Sequence, residues 1–447
     1  MIIHERVLPR HLHIESATMS QHITRRDALK STAAAATSAM WFSTSGRSAR
    51  AEKSANEKLN LVCIGVGGRG SANVGAVKKE NIIAMCDVDT SRAGKTLEKY
   101  PGMKLFTDYR KMLDELENEI DGVVISTPDH THFHPAMIAM NMGKHVYCEK
   151  PMAHSVWEVR EMTKLAKEKG VATQLGVQRH TLNSIHKSVD IIKAGTIGKV
   201  TDVYSWVGGS RGMPPVPKDS PQVPATLDWD LWVGPAPMRD YHPTICPYGW
   251  RFWWDYGTGE TGNWGCHILD IPFWALDLKY PSTVSAESAP VHELTTPKSM
   301  STKFYFAEQD VNLHWAHSAT GPDILKEKNL SVKGMNTVFV GTEGILVTGF
   351  GDYKLYPEEK FADYKVDQKV PKSPGFHKEW INACKGDAPA TCEFGYSGPL
   401  TETVLLGNVA FRAGGEQFEW NAEQLKAIGN EAAQAQIVPE FRKGWEI

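Results

Sequence analysis

The sequence predicts an α/β fold, with a parallel sheet wrapped by helices in the first half and a second, strand-rich domain after it. Three observations carry this expectation. The chain has 447 residues, too many for one ordinary core. From Leu59 to Val177, short apolar runs alternate with helix-compatible segments, the pattern of right-handed crossovers onto a parallel sheet. Beyond residue 200, period-two alternation in VTDVYSWV, STKFYFA, VNLHWAH and TVFVGT reads as strands, with no internal repeat.

Composition narrows the function. The chain is 41% hydrophobic and 23% charged with a formal net charge of -3, which argues against nucleic acid, since a phosphate-binding surface carries a basic excess. No apolar run approaches the length that spans a bilayer, so no membrane partner is expected. The 7 cysteines are odd in number, widely spread and free of C-x-x-C pairs, which gives neither a disulfide framework nor a structural zinc site. Cys63, Cys86 and Cys148 fall in or beside strand-like runs and read as small buried hydrophobes. At the N-terminus, Arg25-Arg26 precedes the weakly apolar run STAAAATSAMWF and then Ala49-Arg50-Ala51. This resembles a twin-arginine export signal over residues 1–51, with Ala28 where that signal prefers Phe. It implies the twin-arginine export machinery as a partner and a periplasmic or otherwise exported location. Met19 offers an alternative start, and residues 52–58 read as a solvated linker.

The first elements in order are a strand ending at Ile64, the loop Gly65-Val66-Gly67-Gly68-Arg69-Gly70, and a helix. A second strand, NIIAMC, delivers Asp87 about 20 residues beyond the loop, the spacing of an acid on an adenosine ribose. The glycines allow a tight turn and close backbone approach to a pyrophosphate facing the helix N-terminus. Residues 59–179 therefore predict a Rossmann dinucleotide-binding domain. Asp87 favours NAD over NADP by repelling a 2′-phosphate, an effect that Arg69 partly offsets. Further helices are expected near 90–99, 108–117, 133–142 and 155–169, with strands at DGVVIST, KHVYCEKP and VATQLGV. Ligands bind at the carboxyl ends of such strands. That places Thr127, Pro128 and His132 in one loop, Glu149 and Lys150 in another, and Gln178 and Arg179 past the last strand. His130, His132 and His134 alternate as metal ligands can, yet no cysteine or acid with ligand spacing accompanies them, so no metal is expected. Lys150, at a strand end and shielded from water, suits hydrogen bonding to a reacting hydroxyl.

The glycine loop, Asp87, TPDHTH, the Glu149-Lys150-Pro151 triplet, GNWGCHILD at 262–270 and GTEG at 341–344 together resemble the glucose–fructose oxidoreductase / myo-inositol dehydrogenase (Gfo/Idh/MocA) family. The resemblance runs from Leu59 to the C-terminus. It implies NAD(P)-dependent oxidation of a CH–OH group on a sugar, polyol or sugar derivative. It also implies a domain over 180–447 with a large open, mostly antiparallel sheet, carrying the substrate pocket and mediating a homo-oligomer, dimer or tetramer. Carried over by motif, Lys150 bonds the reacting hydroxyl, His267 accepts its proton, and His132 lies beside the cofactor. Asn263 stands where many members have an aspartate partnered with that histidine. On a helix Asn263, His267 and Asp270 share one face, so Asp270 is expected to compensate, although Pro272 strains the turn reaching back to Ile268. The run GWRFWWDYG (249–257) suits either a carbohydrate pocket or the core, and it supplies Arg251 and Asp255 as substrate contacts. The Pro-rich stretch 213–224 reads as a lid or an oligomer arm. Export, which separates the enzyme from a cytosolic cofactor pool, implies tightly held NAD. Two other functions share these residues: redox-neutral glycoside cleavage or epimerisation through a transient keto-sugar, and non-catalytic periplasmic sugar binding.

Overall fold

The computed structural model describes residues 57–287 and 290–446, so the expected export signal over residues 1–51 lies outside the described residues. The first sheet is parallel, with order β3-β2-β1-β4-β5-β6. It comprises β1 (Asn60–Ile64), β2 (Asn81–Cys86), β3 (Leu105–Phe106), β4 (Gly122–Ile125), β5 (His145–Cys148) and β6 (Thr173–Leu175). Leu61, Val62, Cys63 and Ile64 are all buried, as a strand covered on both faces requires. Helices Thr90–Leu97, Tyr109–Glu115, Phe133–Asn141 and Val156–Lys169 fall where the alternation places them. The last begins with a capping box between Ser155 and Glu158 and ends at Gly170 in the left-handed conformation. The order reverses between β1 and β4, and the carboxyl ends of β1, β2, β4 and β5 open there onto a common crevice.

The second sheet has nine strands in the order β13-β12-β11-β7-β10-β9-β8-β14-β15. These are β7 (Val200–Val207), β8 (Thr283–Ala286), β9 (Met300–Phe306), β10 (Val311–His317), β11 (Thr337–Gly341), β12 (Ile345–Thr348), β13 (Tyr353–Tyr356), β14 (Phe418–Asn421) and β15 (Lys426–Ile428). Only β7 and β10 run parallel; every other neighbouring pair is antiparallel. Helix Phe394–Arg412 is buried on nearly every side, between helix Val156–Lys169 and strands β8 and β9.

Two returns of the chain tie the second half to the Rossmann sheet. Leu175 N–H donates to Cys392 O at 2.9 Å, and Gln174 Nε2 donates to Phe376 O at 3.2 Å, docking helix Phe376–Cys384 on β6. At the other edge Thr90 N–H donates to Thr226 O and Asp228 N–H donates to Val88 O, so the segment after 226 crosses the end of β2. Trp445 reaches the same region under the Arg110 guanidinium, 4.4 Å from its ring.

Candidate active-site cleft

The carboxyl ends of β1, β2, β4 and β5, the 226–251 segment, the 263–267 turn and Trp445 enclose a cleft of about 450 Å³. At its floor Gly65 adopts φ 74°, and a Cβ there would sit 2.8 Å from Ser126 O. At Gly70 a Cβ would fall 1.7 Å from Gly65 O, so only glycine lets the helix pack on the strand end. Helix Arg69–Ala76 begins after Gly68 with no side-chain cap, so its N-terminus is open to an anion even though the Gly70 amide donates to Gly67 O at 2.9 Å. The Asp87 carboxylate accepts from the amides of Val66 and Gly67 at 3.0 and 3.1 Å, and burial raises its pKa against those donors. The residues present thus fit a dinucleotide, with its pyrophosphate at Gly67–Arg69 and its ribose at Asp87.

Glu149 braces this floor. Its Oε1 accepts from Arg69 Nε (3.0 Å), Asn73 Nδ2 (2.9 Å) and Gln178 Nε2 (2.7 Å). A side chain at Gly176 would meet its carboxylate at 2.8 Å. Lys150 Nζ donates to Asn263 O and to Asn263 Oδ1, each at 3.0 Å. An ammonium has three N–H groups, so one remains for the cleft. Burial lowers the Lys150 pKa, against the pull of Asp129 and Glu149. Asn263 Nδ2 donates to Glu260 Oε2 at 3.1 Å, and Arg211 grips both oxygens of Glu260 at 2.8 and 3.0 Å. Lysine only donates and a carboxylate only accepts, which fixes the orientation of the Asn263 amide between them. Burial would raise the Glu260 carboxyl, but Arg211 and Asn263 hold it below its usual range.

His267 lines the cleft with a buried Nδ1 that has no hydrogen-bond partner. Burial and the positive charges of Lys150, Arg179 and Arg69 hold the imidazole well below the usual histidine range, so it is neutral. This corrects the expected dyad: Asn263 serves Lys150 and Glu260, and Asp270 does not reach His267. Asp270 is buried, accepting from His180 Nδ1 at 2.9 Å and from Tyr396 OH at 2.7 Å. The reason is local. Thr261–Gly265 forms a π turn, helix Cys266–Ile268 stops at once, and a new helix, Asp270–Ala275, starts around Pro272. Sequence spacing therefore does not map onto one helical face.

Other expected residues divide. Gly65, Gly67, Gly68, Arg69, Asp87, Thr127, Pro128, Glu149, Lys150, Gln178, Arg251, Asn263 and His267 all line the cleft. Gly70 packs beneath it. His132 is buried, and its ring nitrogens lie 2.9 Å from Thr127 O and 2.8 Å from Pro151 O, joining the two catalytic-side loops without facing the cleft. Asp255 does not line the cleft, and Arg239 takes its carboxylate. Arg179 lies outside the lining, over the Phe350 ring at 4.1 Å. Of the aromatic run only Trp250 reaches the cleft, while Phe252, Trp253, Trp254 and Tyr256 are buried elsewhere. Sequence reading passed over Asp129, whose Oδ2 accepts from Thr258 N and Oγ1, and Arg92, beside Gly67 and Gly68. Asp129 follows Pro128 directly, which was the available signal; Arg92 lies on the helix after β2 and meets the glycine loop only in space, so no local spacing announced it.

Two models of one family match the chain. The NAD-binding Rossmann fold of the Gfo/Idh/MocA oxidoreductases covers residues 59–177, and their C-terminal alpha/beta domain covers 192–308, together more than half the chain. Inositol 2-dehydrogenase of Salmonella typhimurium is 28% identical over 152 residues, which is 33% of this chain and 45% of that protein. 2,7-Anhydro-N-acetylneuraminate hydratase of Escherichia coli is 34% identical over 90 residues, 20% of this chain and 24% of that protein. The chain thus spans less than half the length of these curated relatives. Among solved structures, the WlbA dehydrogenase of Bordetella pertussis, in complex with NADH and UDP-GlcNAcA, superposes over 82% of this chain and 99% of that one, with TM-score 0.59 and 17% identity. A levoglucosan dehydrogenase in complex with NADH and levoglucosan gives 81%, 99%, 0.56 and 17%. At that identity these two speak for the fold alone. With both of the family's domain models matched in order, the chain belongs to the Gfo/Idh/MocA family of oxidoreductases.

Proposed function

We propose that the protein is an exported oxidoreductase that removes hydride from a CH–OH group of a sugar, polyol or sugar derivative. The observation that carries this reading is the convergence of Lys150, Asn263 and His267 on a cleft whose floor is the glycine loop and Asp87. Bound there, a nicotinamide dinucleotide supplies the hydride acceptor. Neutral His267 takes the hydroxyl proton, and the free N–H of Lys150 polarises the same oxygen. Asp87 favours NAD over NADP. The contacts that bring the segment after 226 and Trp445 across the end of β2 support a cofactor retained through turnover and recycled in place; homo-oligomerisation through the large sheet is what the family resemblance implies. The test is a carbohydrate panel read by NADH absorbance and product NMR, after desalting. Turnover without added NAD is expected with an acceptor sugar present; loss of cofactor on desalting, with turnover only in bulk NAD, overturns retention. N-terminal sequencing of the secreted form tests export, with a start near residue 52 expected.

A redox-neutral variant, using a transient keto-sugar for elimination or epimerisation, has its own support in the relative named a hydratase, a reaction without net redox. Product formation with no NADH accumulating would identify it.

Asn263 sets the pH window. Restoring a carboxylate with Asn263→Asp favours the protonated forms of both Lys150 and His267, whose pKa values now lie below their usual ranges. Both limbs of the kcat/KM profile are expected to move to higher pH, and an unchanged profile would show that position 263 is uncoupled from the acid–base pair.

A further inference from the structure

One guanidinium in the cleft, that of Arg251, has no direct ion-pair partner: Asp129 and Glu149 act on it only through space, and burial outweighs them. Among the described residues no carboxylate lies within ion-pair distance of Arg251, and its hydrogen bond is from Nη1 to Tyr248 O at 3.1 Å. The guanidinium lies over the rings of Trp250 and Tyr248 at 4.2 and 4.5 Å. Its backbone is held in place, because a side chain at Gly257 would meet Arg251 Cα at 2.5 Å. The acids that could answer it are engaged elsewhere. Glu260 is gripped by Arg211 and Asp255 by Arg239, while Asp129, whose field reaches Arg251 without contact, gives Oδ2 to the neutral Thr258. The neutral Asn263 adds no charge, and Lys150 brings a further cation. A planar fork of donors, half-buried and packed over two aromatic rings, matches the geometry of an oxyanion.

We propose that Arg251 receives an anionic group of the substrate, and that the substrate is an acidic sugar, a uronate or a sugar phosphate, in place of a neutral polyol. This rests on the carbohydrate reading above and makes it more specific. Trp232, Trp250 and Trp445 line the cleft, so binding is followed by tryptophan fluorescence on the purified protein. The probes are D-glucuronate, D-glucose 6-phosphate, D-glucose, inorganic phosphate and NAD. The wild type is expected to bind one of the two acidic sugars about tenfold or more tighter than glucose. Arg251→Met removes that gap and leaves glucose and NAD affinities unchanged, whereas Arg251→Lys keeps part of it. A glucuronate preference identifies a carboxylate as the anion; a glucose 6-phosphate preference identifies a phosphate ester. Equal binding of acidic and neutral sugars by the wild type overturns the proposal. So does loss of NAD affinity in Arg251→Met, which would assign the guanidinium to the cofactor's pyrophosphate. If no sugar binds but phosphate does so in an Arg251-dependent way, the anion site stands and the carbohydrate reading falls. If phosphate also fails, both fall.

Discussion

Replacing Lys150 with methionine is expected to lower kcat by about 10²–10⁴-fold while leaving NAD affinity near the wild-type value. Methionine keeps the length and apolar stem of lysine but removes all three N–H donors. Two of those donors serve Asn263, and the third faces the cleft. The loss therefore falls on the group that polarises the reacting oxygen, not on Asp87 and the glycine loop that form the cofactor floor. Removing an interaction made in the transition state lowers kcat and kcat/KM together, whereas loss of a ground-state contact raises KM alone. Steady-state kinetics on the substrate found in the carbohydrate panel, with NAD titrated separately, distinguishes the two. Unaltered turnover would show that Lys150 does not polarise the reacting oxygen, and absence of turnover in the wild type on every sugar that binds would favour a protein that binds sugar without transforming it. A second variant, Asn263→Ala, separates charge from placement. It leaves Lys150 Nζ only the backbone carbonyl of residue 263, so a smaller fall in kcat is expected than for the loss of Lys150 itself.

The cofactor floor was legible in the sequence because its chemistry lies in contiguous stretches. A strand, a glycine loop, a helix and an acid at a set distance specify one another over fewer than thirty residues. Strands β7, β9, β10 and β11 showed period-two alternation and were read correctly. Strands β8, β12, β13, β14 and β15 are short and lie toward the sheet's ends, where too few residues alternate to carry a signal. Helix Phe394–Arg412 hid for the opposite reason: buried almost all round, it shows no amphipathic period. The catalytic end was legible as residue types but not as partnerships. Arg211 and Glu260 are 49 residues apart, and Arg239 and Asp255 are 16 apart, so no local spacing announces either ion pair. The π turn at Thr261–Gly265 breaks the helical register on which the expected Asn263–His267–Asp270 face depended.

Asp270 offers the largest stability effect, and it separates the structural role found for this residue from the catalytic one its spacing suggested. Its side chain is 0% exposed and bonded to His180 and Tyr396. Those two residues lie on the turn after β6 and on helix Phe394–Arg412, so one carboxylate ties together the elements flanking Gln178 and His267. Truncating it leaves the buried His180 imidazole without its acceptor and leaves the half-buried Tyr396 phenol only the longer bond to Asp270 O at 3.3 Å. Breaking one side of a buried pair costs about 3–5 kcal/mol. Asp270→Ala is therefore expected to lose stability of that order in denaturant unfolding. Tyr396→Phe should lose less, because it removes a donor together with its polarity and leaves the His180 contact intact. In the double variant the two losses should add to less than their sum, since both mutations break the same bond. If Asp270 instead supported His267 as a base, the fraction that remains folded would lose kcat without a matching fall in stability. The 2.9 Å contact to His180, and the unpartnered Nδ1 of His267, place the effect on folding.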